Sequence, residues 1–212
     1  MNVVPVSAAD IDLAVDLAVY RLSKTESDAW DYRAGTLKWT CRETVEHIAD
    51  RLFAYAAQMG PRNPPINGRV PFAQEARRRG GPANTIFADR ETGPEGLLQV
   101  LEASAALLSA MVRTAPPRTR AHHDFGLADP EGFAAMGVVE TLVHTHDLSE
   151  GLDFAWHPPA ELCERALARL FPDAPSDTEP WPTLLWATGR GTLPGRARLR
   201  QWRWRAAPET ER

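Results

Sequence analysis

Apolar residues recur every three to four positions in four separate stretches of the chain, and each stretch is fenced by helix start and stop signals. Ile11, Val15, Ala18 and Leu22 form the first stripe and predict a helix from about Ala8 to Leu22. Ser7 and Asp10 open it as a capping pair, with Asp in place of the usual Glu. The second begins at Thr40 and Glu43, in T-x-x-E spacing, and runs to about Gln58 with Val45, Ile48, Ala49, Leu52, Phe53 and Ala56 on its apolar face. The third follows another T-x-x-E start, Thr92 to Glu95, and continues through Leu97, Leu98, Leu101, Leu107 and Leu108 to about Arg113. Pro116 and Pro117 stop it. The fourth opens at Asp129 and Pro130, a capping residue followed by proline at the first helical position, and ends near Gly151.

Between the second and third helices, residues 60–92 are broken by Pro61, Pro64, Pro65, Pro71, Gly80, Gly81 and Pro82. Structureless segments of this length are uncommon in compact domains. We read this one as a crossover forming one wall of a cleft, with a short helix expected near Phe72 to Arg79. Four long helices and one long crossover predict a mainly α protein, a four-helix bundle over residues 1–155. After Pro158 the texture changes. Ala160 to Phe171 and Thr183 to Thr188 read as short helices, and Leu199 to Arg205 alternates with period two like an edge strand. A small α+β appendage over residues 156–212 is the expected second unit. No internal repeat is visible.

Composition narrows the function classes. The 212 residues are 43% hydrophobic and 25% charged, ordinary for a soluble globular protein. A net charge of −4 and a pI near 5.9 carry no footprint for nucleic acid. No apolar run approaches the roughly 18 residues of a membrane span, and the first residues lack the pattern of a signal peptide. Two cysteines, Cys41 and Cys163, make no disulfide framework, so the expectation is a cytoplasmic protein, monomer or homodimer. Cys41 has no histidine partner nearby to make it a nucleophile.

The chemistry concentrates on the fourth helix. Phe133, Met136, Glu140, Val143, His144 and Asp147 share one inward stripe, and Glu140 and His144 stack one turn apart. A carboxylate on a buried stripe needs a partner, either a metal ion or an arginine. A carboxylate and an imidazole at this spacing can share one ion if a third ligand joins them. His47 is available, yet periodicity puts it opposite the apolar centre of its helix, beside Glu43, Asp50 and Arg51, a face that reads as solvent.

The two segments "TVEHIADRL" and "GVVETLVHTHDL" together resemble the DinB-like metalloenzyme superfamily, and more closely its actinobacterial branch, similar to mycothiol-dependent maleylpyruvate isomerase. The tail "LLWATGRGTLPGRARLRQWRW" also looks like the small C-terminal domain of that branch. In this family one histidine comes from the second helix, and a Glu and a His in E-x-x-x-H spacing come from the fourth. The resemblance therefore implies His47, Glu140 and His144 as metal ligands and reverses the solvent reading of His47. It also implies a divalent ion, zinc first, and mycothiol as the thiol cosubstrate.

Two histidines and one carboxylate leave a tetrahedral ion one open position. Water there makes a hydrolase. A thiol there is held as thiolate, ready to add to an electrophilic carbon, which is the case the family implies: isomerisation about a cis double bond, or S-transfer. A substrate with carboxylates wants a cationic anchor, and Arg190 is the positional match to the arginine of the family's C-terminal domain. Tyr55 and Gln58, beyond His47 on nearby faces, are expected to line the pocket.

Asp50 and Asp147 each follow a candidate ligand in H-x-x-D spacing. Each is either an outer partner that fixes a histidine tautomer or an ordinary helix contact. His146 points away from His144. His122 and His123 precede the fourth helix at the cleft mouth, and Arg77 to Arg79 read as a solvated cluster. A metal-dependent hydrolase on the same bundle and a non-catalytic small-molecule-binding protein are the alternative functions.

Overall fold

The computed structural model describes residues 4–26 and 29–208. Six helices appear in chain order: α1 (Ala8–Leu22), α2 (Cys41–Met59), α3 (Gly93–Thr114), α4 (Pro130–Gly151), α5 (Ala160–Leu170) and α6 (Pro180–Ala187). Two three-residue strands, β1 (Ala121–His123) and β2 (Gly126–Ala128), pair antiparallel just before α4. The first four helices form the bundle, and α4 is its centre, packed against α1, α2, α3 and α5.

The capping signals explain where most of these helices begin. The Ser7 backbone N–H and hydroxyl both donate to the Asp10 carboxylate, at 2.8 and 3.0 Å. Thr40 and Glu43 make the full reciprocal box, at 3.2 and 2.9 Å. Asp129 accepts from the Gly132 N–H at 2.8 Å, with Pro130 at the first helical position. The start of α3 differs from the expected T-x-x-E box. A 3-10 turn over Arg90–Thr92 leads into it, and the Thr92 hydroxyl donates to the Asp89 carbonyl instead.

Because α4 is covered on nearly every side, its sequence is apolar almost all round. Phe133, Met136, Leu142 and Leu148 are fully buried. Each such side chain contributes about 1.5–3 kcal/mol on burial. Small residues mark the tightest contacts. A Cβ at Gly151 would strike the Arg33 carbonyl oxygen and sit 3.0 Å from the Cys41 sulfur. Gly151→Ala is therefore expected to cost about 1–3 kcal/mol through overpacking, read as a lower melting temperature. An unchanged melting temperature would show that the loop before α2 yields freely.

Three expectations are corrected. Phe72 to Arg79 is not helical; an isolated antiparallel bridge, Glu75 with Asn84, pins the crossover instead. Leu199 to Arg205 forms no strand ladder among the described residues. Its alternation is real in burial, with Trp204 buried and Trp202 exposed, but its backbone bond runs from Arg205 N–H to the Leu170 carbonyl of α5. The only paired strands among the described residues lie in the bundle half of the chain. The apolar-run expectation also needs revision: Arg90–Thr114 is long and apolar enough, by length and composition, to cross a membrane. Here it is a bundle helix whose Leu97, Leu98, Leu101 and Leu108 are buried.

The chain after α4 is bound to the first four helices by charge as well as by core. Arg169 pairs with Asp129 at 2.7 Å, and Arg165 with Asp10 at 2.5 Å. The Trp156 indole N–H donates to the Leu142 carbonyl of α4 at 3.0 Å.

Candidate metal centre

α2 and α4 lie side by side, and their facing residues converge at one point. One ligand atom each from His47, Glu140 and His144 lies within 4.8 Å of the other two. The two imidazoles meet edge to face with centroids 5.3 Å apart, and Trp39 covers them, 4.6 Å from His47. Nε2 of His144 stands 3.2 Å from a Glu140 oxygen. The other Glu140 oxygen accepts from the Tyr55 hydroxyl at 3.2 Å.

Each histidine is held from behind through Nδ1. That of His144 meets Asp147 Oδ2 at 2.9 Å, and that of His47 meets Asn84 Oδ1 at 3.4 Å. An Nδ1–H that donates outward leaves the Nε2 lone pair for the centre. The donor set, two imidazole nitrogens and a carboxylate, fits a borderline ion such as zinc. Asp147 in turn accepts from Arg190, Nε to Oδ1 at 3.0 Å and to Oδ2 at 3.2 Å, and Nη2 to Oδ2 at 2.7 Å.

Burial and the neighbouring charges shift how each of these groups titrates. Burial works against the Glu140 carboxylate, but the hydrogen bond from His144 and the nearby positive charges outweigh it and hold its pKa at about 2. Burial, and then the charge of His144, lower His47 to about 4. His144 itself is raised, because its bonds to Asp147 and Glu140 outweigh its burial. Asp147 is lowered despite its burial by the His144 hydrogen bond and the Arg190 charge. Burial, reinforced by the Glu140 charge, pushes the Tyr55 phenol well above its ordinary range.

The sequence-predicted residues divide into three groups. His47, Glu140 and His144 come together. Tyr55 and Gln58 both line a cavity of about 390 Å³ that opens from this centre. Gln58 is bound to the crossover backbone there: its amide donates to the Pro65 and Gly68 carbonyls and accepts from the Val70 N–H. Its polar atoms hold the wall rather than facing a ligand. Arg190 does not line the cavity, because its guanidinium is bound to Asp147 behind His144. Its contact in this structure is with the Asp147 carboxylate.

Asp50 is not the partner of His47. Its fully buried carboxylate takes the backbone N–H groups of Thr85 and Ile86, at 2.5 and 3.1 Å, and Arg51 at 2.5 Å. His146 faces away, packed on Trp181 at 5.8 Å. Arg77 and Arg78 are not merely solvated. Arg77 lies over the Phe87 ring at 3.8 Å and reaches Glu46 of α2 at 3.9 Å, and Arg78 pairs with Glu43 at 2.5 Å, so both fasten the crossover to α2. Asn84 and Trp39 were not anticipated. Asn84 sits in a Gly-Pro-Ala-Asn loop with no local spacing to mark it, and only the fold brings it to His47.

With this geometry in hand, the family follows. Residues 11–148 match the DinB superfamily, and the chain belongs to that superfamily. Two solved structures are similar over 91% of this chain and 95% of theirs. One is a histidine-to-alanine mutant of the mycothiol-dependent maleylpyruvate isomerase, with a TM-score of 0.60 at 16% identity. The other is the mycothiol-dependent maleylpyruvate isomerase without that mutation, at 0.58 and 15%. At such identity the likeness establishes a shared fold. No curated protein sequence matches the chain.

Proposed function

We propose that this protein is a metal-dependent thiol enzyme, in which His47, Glu140 and His144 hold a divalent ion, zinc first, and the thiol is mycothiol or a similar low-molecular-weight thiol. The observation that carries the reading is the convergence of those three ligand atoms within 4.8 Å. A divalent ion held there would supply Lewis acidity, keeping a bound thiol, ordinarily of pKa about 8.5, as its thiolate.

The chain's own residues do the rest. Asp147 fixes the His144 tautomer, Arg190 fixes Asp147, and Asn84 does the same for His47. Trp39 shields one side of both imidazoles, and the Tyr55 hydroxyl orients Glu140. The cavity beside Glu140 supplies room for an electrophile. The thiol has to come from outside, because Cys41 and Cys163 are buried and burial pushes their thiols up to about 11 and about 12. The names of the two similar structures support mycothiol as that thiol and isomerisation as the reaction, with S-transfer the other reaction open to a bound thiolate. A reducing cytoplasm, where such a thiol persists, is the compartment that suits it.

The test is elemental analysis of the purified protein beside His47→Ala, followed by turnover of electrophiles with and without thiol. About one ion per chain, lost in the variant, with turnover that requires the thiol, is the expected result. Turnover of esters or amides without thiol would establish the hydrolase instead. No metal in either protein would leave a binding protein on a DinB fold.

A further inference from the structure

The cavity that opens from the metal centre is lined by rings out of proportion to the rest of the surface. Tyr55 and Phe133 form its floor, Phe72 comes from the crossover, Phe125 from the β1–β2 turn, and Trp202 and Trp204 from the C-terminal tail. Phe72, Phe125 and Trp202 are exposed at 48%, 44% and 37%, and three large exposed rings at one opening mark a binding site more often than chance placement. Its cations do not stand unopposed. Arg51 lies against Asp50, and Arg69 forms a two-point pair with Asp124. Arg190 is off the cavity, against Asp147.

His123 stands among the rings and keeps a free donor. The Phe125 N–H donates to Nδ1 of His123 at 3.1 Å, so that nitrogen is a lone-pair acceptor and the proton sits on Nε2. Nε2 has no hydrogen-bond partner among the described residues. The ring itself lies between Tyr55, Phe125 and Trp204, with centroids 5.5–6.1 Å away.

We propose that this cavity takes an uncharged aromatic electrophile, its ring stacked among these side chains and its acceptor oxygen held by the Nε2–H of His123. Burial lowers the His123 pKa to about 4, so the imidazole stays neutral and its donor persists at neutral pH. Charges that are already paired, aromatic walls and the His123 donor favour an aryl ketone or aryl enone over a dicarboxylate, which would lose hydration on entry without gaining an unopposed cation. The proposal rests on the thiol-enzyme reading for the word electrophile; the binding preference stands without it.

Calorimetric titration of the full protein with benzylideneacetone, cinnamate and maleate tests it. The expected order is benzylideneacetone at least about tenfold tighter than cinnamate, with maleate weaker still. Phe125→Ala should weaken the ketone about three- to tenfold through the lost ring contact. His123→Phe, which keeps a ring in the stack but removes the donor, should weaken it by a similar about three- to tenfold. His146→Ala should change ketone binding less than about twofold, since His146 packs on Trp181 and does not line the cavity. Cinnamate or maleate binding as tightly as the ketone would overturn the proposal and locate a usable cation at Arg51 or Arg69. So would ketone binding that neither Phe125→Ala nor His123→Phe weakens. A wild-type protein without metal that still binds the ketone in this order would defeat the metal reading alone.

Discussion

His144→Ala is expected to abolish metal retention and thiol-dependent turnover while leaving a folded helical bundle. The imidazole is the best-positioned member of the site. Its Nε2 faces Glu140, and Asp147 and then Arg190 lie in series behind Nδ1. Asp147→Asn, which weakens the anchor but keeps the ligand, should reduce metal affinity by about 10- to 100-fold, the usual effect of losing such a partner. The alanine variant should exceed that. His146→Ala is the internal control, since His146 packs on Trp181 away from the site. The fold should survive metal loss, because its core is a continuous cluster of buried Leu, Ile, Val and Phe side chains that owes nothing to an ion. Metal content by elemental analysis and helicity by circular dichroism read the two outcomes separately. A His144→Ala protein that kept one ion per chain would remove this centre from consideration.

The largest expected effect on stability belongs to a residue outside the ligand set. Asp50→Ala should cost about 3–5 kcal/mol, because it leaves the mostly buried Arg51 without its carboxylate and strips two backbone N–H groups of their acceptor. Those groups, on Thr85 and Ile86, attach the crossover to α2 immediately after Asn84. Loosening them should also release Asn84 from Nδ1 of His47. The variant is therefore expected to lose metal affinity as well as stability, although residue 50 touches no ligand. Asp50→Asn retains one acceptor oxygen and should fall between the two proteins. Urea unfolding checks the first effect and metal titration the second. A midpoint within about 0.5 kcal/mol of wild type, the range of ordinary surface changes, would refute the role assigned to Asp50.

The order of the helices was written in local signals. Ser7, Thr40, Asp129, Pro130 and the prolines at 116 and 117 act within a turn of their own position, and the apolar stripes repeat with the helical period. Glu140 and His144 were equally legible, since a pair four residues apart on one helix meets whatever surrounds it. His47 was not legible from periodicity. Its face of α2 is polar because the crossover covers it with polar partners, Glu43 to Arg78, Asp50 to Thr85 and Ile86, His47 to Asn84. A buried polar face and a solvated one have the same sequence pattern, and only the family resemblance favoured the first.

The tertiary structure alone decided what the long-range partners do. Arg190 and Asp147 are 43 residues apart, and their pairing places the guanidinium behind His144. Leu199 to Arg205 carried a true period-two alternation, but a strand needs a neighbouring strand edge, and here the chain meets α5 and the β1–β2 hairpin instead. The aromatic cavity draws Tyr55, Phe72, Phe125, Phe133, Trp202 and Trp204 from five distant parts of the chain, so no window of sequence contains it. Local hydrogen bonds and helical periodicity determined the bundle and the Glu140–His144 pair. Contacts between distant segments brought His47 to that pair, and with it the chemical character of what the site can receive.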